Sequence, residues 1–135
     1  MHGWCIGGGL ELALAADFRV VDTTAVFRLP EVAIGILPSS GGTHRLVRLL
    51  GTARAKELAL LRDSIDAEEA LRLGLVTEVV SAGDATARAL DLADHLASLP
   101  PLAVTLTKQA IDAMGESSRE AGILIERIAY AALAQ

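Results

Sequence analysis

The sequence predicts a mixed α/β fold over residues 1–80 and a helical region over residues 81–135. Short apolar or β-branched runs alternate with glycine, proline and polar turn residues in the first part, whereas apolar residues recur at helical spacing in the second. The 135 residues are 52% hydrophobic and 21% charged, which is typical of a folded globular chain with room for one ordinary domain.

Strands and turns are predicted for most of the first 30 residues. Apolar runs bounded by turn residues are typical of strands, and a compact run of leucine and alanine is typical of a helix. That helix is apolar on nearly all sides, so we expect it to be buried. In order, the sequence predicts a strand over 2–6, a glycine turn at 7–9, a helix over 10–16, a strand over 18–21, a turn at 22–24 and a return strand over 25–29, which Pro30 ends.

Helix caps and helix stops divide the rest of the chain. Gly51 is expected to end one helix, and the spacing of Asp66 and Glu69 predicts a capping box for another, which Gly74 closes. Ser117 and Glu120 have the same spacing before the last helix. The predicted elements are helices over 43–50 and 52–61, a helix over 66–74, a strand over 75–80, and helices over 85–99, over 101–114 and from 117 onward.

Composition excludes several classes of function. A net charge of -5 and an aromatic content of 3% argue against a nucleic-acid partner. No run approaches the ~20 apolar residues that a membrane span needs, so no membrane association is expected. Cys5 is the only cysteine, which precludes an internal disulfide and predicts a reducing compartment, the cytoplasm. The three scattered histidines have no metal-site spacing.

Two glutamates are the strongest candidates for chemistry. Glu11 follows a run of three glycines at a helix start, and Glu31 follows Pro30, both in surroundings with little other charge. Burying a carboxylate is costly unless a site uses it. Structural roles remain open, since Glu11 could complement the helix dipole and Glu31 could act as a cap. The glycines could present N–H groups to an oxyanion, or could simply form a tight turn.

Several motifs in the same order resemble the crotonase (enoyl-CoA hydratase/isomerase) family. The resemblance covers essentially the whole chain, and it does not depend on any single glycine cluster. The motifs are Gly-x-x-x-Gly-Gly-Gly-x-Glu-Leu-Ala at 3–13, Ala-Asp at 16–17, Phe-x-x-Pro-Glu at 27–31, Gly-Ile-Leu-Pro at 35–38, Gly-Gly-Thr-x-Arg-Leu at 41–46, Ile-Asp-Ala-Glu-Glu-Ala at 65–70 and Gly-Leu-Val at 74–76.

The resemblance implies a fold and an assembly. The family has a spiral of ββα repeats followed by helices that help to build trimers, often paired into hexamers. Residues 1–80 would be the later part of this spiral core, with the catalytic motifs, and residues 81–135 would be the helical region. The family's N-terminal region, with a second oxyanion N–H group, and its extreme C-terminus have no counterpart here, so we expect a partial chain.

The resemblance also implies an activity. Family members polarise an acyl-CoA thioester with two backbone N–H groups, so Gly8 would supply one of them, with Gly7 and Pro30 completing the substrate-binding residues. Glu31 would donate a proton at C2 of a 2-enoyl-CoA, and Glu11 would hold the water that attacks C3. An apolar setting helps a carboxylic acid keep its proton for this purpose. No cofactor is expected, because coenzyme A is part of the substrate.

Three alternatives to hydration remain at this point. Both glutamates favour hydration over reactions that need only one carboxylate, but isomerases and other lyases share the same scaffold and vary the pocket. A third alternative is a catalytically inactive fragment that acts only in assembly, because one oxyanion donor is absent. Arg45, in the Gly-Gly-Thr-x-Arg motif, could bind phosphate or make a buried structural hydrogen bond, and the second is expected.

Overall fold

The computed structural model describes residues 1–115 and 117–133, and it confirms a mixed α/β region followed by helices. The chain divides into two compact units, Met1–Ala89 and Leu90–Gln135. In chain order, the elements are β1 Trp4–Ile6, α1 Gly8–Ala13, β2 Val20–Asp22, β3 Val26–Arg28, a 3₁₀ helix Glu31–Ile34, α2 Gly42–Leu60, β4 Ile65–Asp66, α3 Ala67–Leu73, β5 Glu78–Val80, α4 Ala85–Ser98, α5 Pro101–Met114 and α6 Arg119–Leu133.

Two small sheets organise the first unit. One has the strand order β1-β3-β4, with β1 parallel to β3 and β3 antiparallel to β4. The other consists of β2 and β5, which run parallel with Val20 opposite Glu78. Strands of two or three residues supply few ladder hydrogen bonds, so these sheets depend on packing and on side-chain contacts with the loops.

The predicted strand, turn and return strand form, but the two strands do not pair with each other. β2 pairs with β5, whereas β3 lies between β1 and β4. The Ala25 N–H group donates to the Asp22 carbonyl at 3.0 Å, which closes a tight turn between the sheets. The side chain of Asp22 fixes this turn, because it accepts the Thr24 N–H group at 2.9 Å and the Gly83 N–H group at 2.9 Å.

The apolar core of the first unit lies between these sheets and the helices around them. Its members are aliphatic or aromatic side chains from the strands and from α1 to α3. The largest fully buried apolar side chains are Phe27, Leu46, Leu75 and Val21. Each such side chain contributes roughly 1.5–3 kcal/mol when it leaves water, so this cluster is the main apolar contribution to the unit.

The first helix is less buried than its composition predicts. Leu10 and Leu14 are buried, but Leu12 is 76% exposed. Positions 10 and 14 share one face of a helix and position 12 lies on another, so the expectation of burial on all sides was wrong.

The helix boundaries follow the caps with one difference. Asp66 accepts the Glu69 N–H group at 2.8 Å and Gly74 ends α3 with a left-handed backbone, as predicted. Gly51 has a non-helical backbone with a φ of 78° and a ψ of 163°, so the range α2 contains two helices that meet at this residue, as predicted. In the second unit, the cap of α6 is one residue later than expected, because the Ser118 hydroxyl oxygen accepts the Ala121 N–H group.

Within the part of the chain that the structure describes, none of the helices combines the length and the hydrophobicity needed to cross a bilayer. The second unit is helical, with α5 packed against α6. Gly122 of α6 faces Met114 of α5, since a Cβ atom at position 122 would lie 3.4 Å from Cγ of Met114, an ordinary contact distance.

We predict that Asp22→Asn lowers the free energy of unfolding near neutral pH and flattens its pH dependence in acid. The Thr24 hydroxyl, the Gly83 N–H group and the Thr24 N–H group lower the pKa of Asp22 from 3.8 to about 2 in the folded chain. A carboxyl group whose pKa is lower in the folded chain than in the unfolded chain stabilises the fold at pH values above its unfolded-state pKa. This stabilisation is lost as the pH falls from about 4 to about 2.

Urea unfolding across this pH range measures the effect. Asp94→Asn is the matched control, because Asp94 is exposed on α4. The prediction would be wrong if the free energy of unfolding changed with pH by the same amount in the wild-type chain and in Asp22→Asn.

Candidate active site

The turn between β1 and α1 brings three of the predicted site residues together. Gly7 has a φ of 52°, and its N–H group donates to the Arg28 carbonyl at the end of β3 at 3.0 Å. A Cβ atom at this position would lie 3.0 Å from Oε1 of Glu31 and 3.9 Å from Cδ of Pro30. Glycine is therefore required here for its backbone conformation and for the close approach of Glu31.

Gly8 is the first residue of α1 and is exposed. The first N–H groups of a helix have no partner inside the helix, and the positive end of the helix dipole lies there. The Gly8 N–H group is therefore placed to donate to an oxygen atom of a bound molecule. Its assignment to the oxyanion remains a prediction.

Glu11 is buried, with 5% of its surface exposed, and its carboxylate binds a distant loop. Oε1 accepts the Ser40 N–H group at 2.7 Å and the Gly42 N–H group at 3.0 Å. Gly42 is the first residue of α2, and Glu11 itself lies in the first turn of α1. Two hydrogen bonds and the positive ends of two helices thus offset the cost of burying this charge.

Glu31 is 7% exposed, and its environment differs from that of Glu11. It is the first residue of the 3₁₀ helix, and Pro30 precedes it as the N-cap. Oε2 of Glu31 is buried and accepts or donates no hydrogen bond within the described residues. An unpaired buried carboxyl oxygen is costly, so this atom is available to a group that the folded chain does not itself provide.

Gly7 also connects the segments that carry the two carboxyl groups. Glu31 packs against Gly7, and the Glu11 N–H group donates to the Gly7 carbonyl at 3.0 Å. The turn therefore fixes the start of the helix that carries Glu11 and the packing of Glu31. Their roles as acid and base remain predictions.

The structure gives no evidence of ligand binding for the other residues that the sequence analysis considered, which are Arg45 and the three histidines. Arg45 donates from Nη1 to the Ser40 carbonyl at 2.8 Å, which is a structural hydrogen bond as expected, but this bond is exposed and not buried as predicted. His2, His44 and His95 are all exposed. No cluster of three or more His, Cys, Asp or Glu side chains within residues 1–115 and 117–133 could hold a metal ion.

Comparison with known proteins identifies the family. The protein-family profile of Enoyl-CoA hydratase/isomerase matches residues 1–134. The chain belongs to this family. The short-chain-enoyl-CoA hydratase of Clostridium acetobutylicum is 44% identical over 112 residues, which cover 83% of this chain and 43% of that protein. The mouse enoyl-CoA hydratase domain-containing protein 2, mitochondrial, is 44% identical over 135 residues, which cover 97% of this chain and 46% of that protein.

Solved structures give the same crotonase fold. A Thermobifida fusca protein solved in complex with CoA has a TM-score of 0.93 and 36% identity, over 98% of this chain and 51% of that chain. The same protein has also been solved in complex with acetoacetyl-CoA. This enoyl-CoA hydratase/isomerase family chain therefore spans about half the length of the relatives that it matches.

Sequence reasoning missed the two donors that hold Glu11 in this family member. Ser40 and Gly42 act through backbone N–H groups, which every residue but proline carries, so the residue type gives no direct signal. The Gly41-Gly42 pair before a helix was the available signal. A Cβ atom at position 42 would lie 2.6 Å from Cγ of Glu11, so only glycine fits beside the carboxylate.

We predict that Gly42→Ala displaces the Glu11 side chain and lowers the free energy of unfolding by about 1–3 kcal/mol, because the new methyl group overlaps a buried side chain. Urea denaturation measures the change. Gly9→Ala is the matched control, since a Cβ atom at position 9 meets no heavy atom within 4 Å. If Gly42→Ala and Gly9→Ala had equal free energies of unfolding, the close contact between position 42 and the Glu11 side chain would be contradicted.

Proposed function

We propose that this protein adds water across the C2=C3 double bond of a 2-enoyl-CoA thioester. The observation that carries the proposal is the pair of buried glutamates with opposite environments. Glu11 is fixed by two N–H groups, whereas Oε2 of Glu31 is buried without a partner. Hydration requires one fixed group that positions water and one acid that gives a proton to carbon.

The proposed reaction divides the atoms of water between the two carbons. Both described hydrogen bonds of the Glu11 carboxylate go to Oε1, so Oε2 can accept a hydrogen bond from water. The water oxygen bonds to C3 and loses a proton to Glu11, while Glu31 gives a proton to C2. Proton transfer from Glu11 back to Glu31 then restores the starting state, so one water molecule is consumed.

Polarisation of the thioester carbonyl makes C3 electrophilic. In our proposal, the Gly8 N–H group donates to the carbonyl oxygen, on which negative charge develops as the enolate forms. In the same proposal, Pro30 and Gly7 form the wall beside Glu31, since a Cβ atom at position 7 would lie 3.0 Å from Oε1 of Glu31 and 3.9 Å from Cδ of Pro30. Acid–base addition of water is redox-neutral, so we propose no separate cofactor.

Family relationships support the choice of substrate and suggest the assembly. Relatives named enoyl-CoA hydratase, and neighbours solved with CoA and acetoacetyl-CoA, support an acyl-CoA thioester as the ligand. We propose a homotrimer or a hexamer as the working assembly and the cytoplasm as its location. Fractionation of the source cells tests the cytoplasmic location, because the mouse relative is named mitochondrial.

An inactive assembly component is the second candidate function. Four large apolar side chains of the 3₁₀ helix and the loop after it are exposed, and the chain spans about half the length of its relatives. Such a patch favours association with another surface. The exposed side chains are Val32 at 48%, Ile34 at 71%, Ile36 at 57% and Leu37 at 65%.

We predict that Glu11→Gln and Glu31→Gln each lower kcat for hydration of crotonyl-CoA by about 10²–10⁴, the range that a positioned acid or base contributes. Loss of the enoyl-thioester absorbance measures the rate. Glu68→Gln is the matched control, because Glu68 is exposed on α3. Unchanged rates in both active-site variants would exclude the proposed roles.

An inactive wild-type chain would favour the assembly candidate instead. In that case, we expect sedimentation velocity to give a concentration-dependent oligomer that Ile34→Ser and Leu37→Ser together shift toward monomer. Leu124→Ser, an exposed position on α6, is the control for a change in hydrophobicity alone. A monomer at all concentrations would contradict assembly through this patch.

A further inference from the structure

Arg45 holds the loop segment that donates hydrogen bonds to Glu11. Nη1 of Arg45 donates to the Ser40 carbonyl at 2.8 Å, and the N–H group of the same residue 40 donates to Oε1 of Glu11 at 2.7 Å. Ser40 therefore connects the guanidinium to the carboxylate through one residue of backbone. Within the described residues, the Ser40 carbonyl accepts no other hydrogen bond.

The guanidinium also packs directly on the loop backbone. A Cβ atom at Gly41 would lie 2.5 Å from Nη1 and 3.1 Å from Cζ of Arg45, and Gly41 has a φ of 85°. The Arg45 N–H group donates to the Gly41 carbonyl at 3.0 Å. Arg45 thus contacts residues 40 and 41 through its side chain and its backbone, and glycine at 41 makes the close approach possible.

We propose that Arg45 is a positioning residue for Glu11. By fixing the Ser40 carbonyl, it orients residue 40 so that its N–H group points at Oε1, and it holds Gly42 in register for the second hydrogen bond. Its consequence for catalysis rests on the proposed hydration, but the positioning itself does not. The role differs from phosphate binding, because it uses the guanidinium on the loop backbone and not on a ligand.

The experiment is amide NMR of the ¹⁵N-labelled full chain without substrate. Amide protons that donate to a carboxylate are deshielded and exchange slowly with water. In Arg45→Met, we expect the Ser40 and Gly42 amide protons to move upfield and the Ser40 amide to exchange about five-fold faster, the loss that one hydrogen bond of about 1 kcal/mol implies. Arg54→Met on the exposed face of α2 is the matched control and should move neither resonance.

A conservative variant and a double variant sharpen the result. Arg45→Lys keeps a cation and a donor, so it should restore part of the exchange protection, and it serves in place of Arg45→Met if that variant does not fold. Glu11→Gln alone should shift the same two amides. In a chain that already carries Glu11→Gln, Arg45→Met should then shift these two amide protons by less than half as much as it does in the wild-type chain. The reason is that both substitutions weaken the same interaction, the hydrogen bonds between the loop and residue 11.

Several outcomes would overturn the proposal. Unmoved Ser40 and Gly42 amides in Arg45→Met would do so, as would an equal shift in Arg54→Met or full additivity in the double variant. A rise in KM for an acyl-CoA with unmoved amides would instead assign Arg45 to phosphate binding. If the amides shift as expected and the wild-type chain hydrates no enoyl-CoA, the positioning role stands and the proposed function fails.

Discussion

The hydrogen bonds from Ser40 and Gly42 to one oxygen of Glu11 are the interaction on which the candidate site depends. They join positions 29 and 31 residues apart, and they bring the starts of α1 and α2 to the same carboxylate. Their local sequence requirement is severe, because the space beside Cγ of Glu11 admits no side chain at position 42. The carboxylate in turn supplies the acceptor that the loop N–H groups need in a buried position. The Glu11 carboxylate and the two N–H groups thus satisfy each other's hydrogen-bonding needs, which lowers the free-energy cost of burying both.

The two buried glutamates differ in their hydrogen-bond partners. Either one could be a helix-terminus acid by its sequence position. The structure satisfies Glu11 with the backbone and leaves Oε2 of Glu31 buried without a partner. Gly7 allows this, since its positive φ turns the chain sharply beside Glu31 and presents no side chain to it. In the proposed function, the fixed carboxylate of Glu11 positions water and Glu31 transfers a proton.

Local signals predicted the helices well because caps and stops act within a few residues. The Asp66 cap and the left-handed Gly74 are examples, and Gly51 does interrupt the helix at the expected place. Pairing between strands was not predictable in the same way. β2 and β5 meet across 58 positions, from Val20 to Glu78, and a three-residue strand carries too little pattern to choose its partner. The glutamates were visible as isolated charges, whereas their backbone partners carried no distinguishing side chain.

The first unit repeatedly uses buried polar side chains to tie its loops to distant segments. Asp22 accepts the Gly83 N–H group, and Nε of Arg19 donates to the Leu75 carbonyl at 2.7 Å, as Glu11 accepts from the loop before α2. Desolvation lowers the pKa of Arg19, which is the cost of using a cation in this way. The strands have only two or three residues, so these side-chain hydrogen bonds replace part of the backbone hydrogen bonding that longer strands would provide. Against this pattern, in which buried polar groups are paired with the backbone, the unpaired Oε2 of Glu31 is an exception. In the proposed function, this unpaired oxygen is the one that meets the substrate.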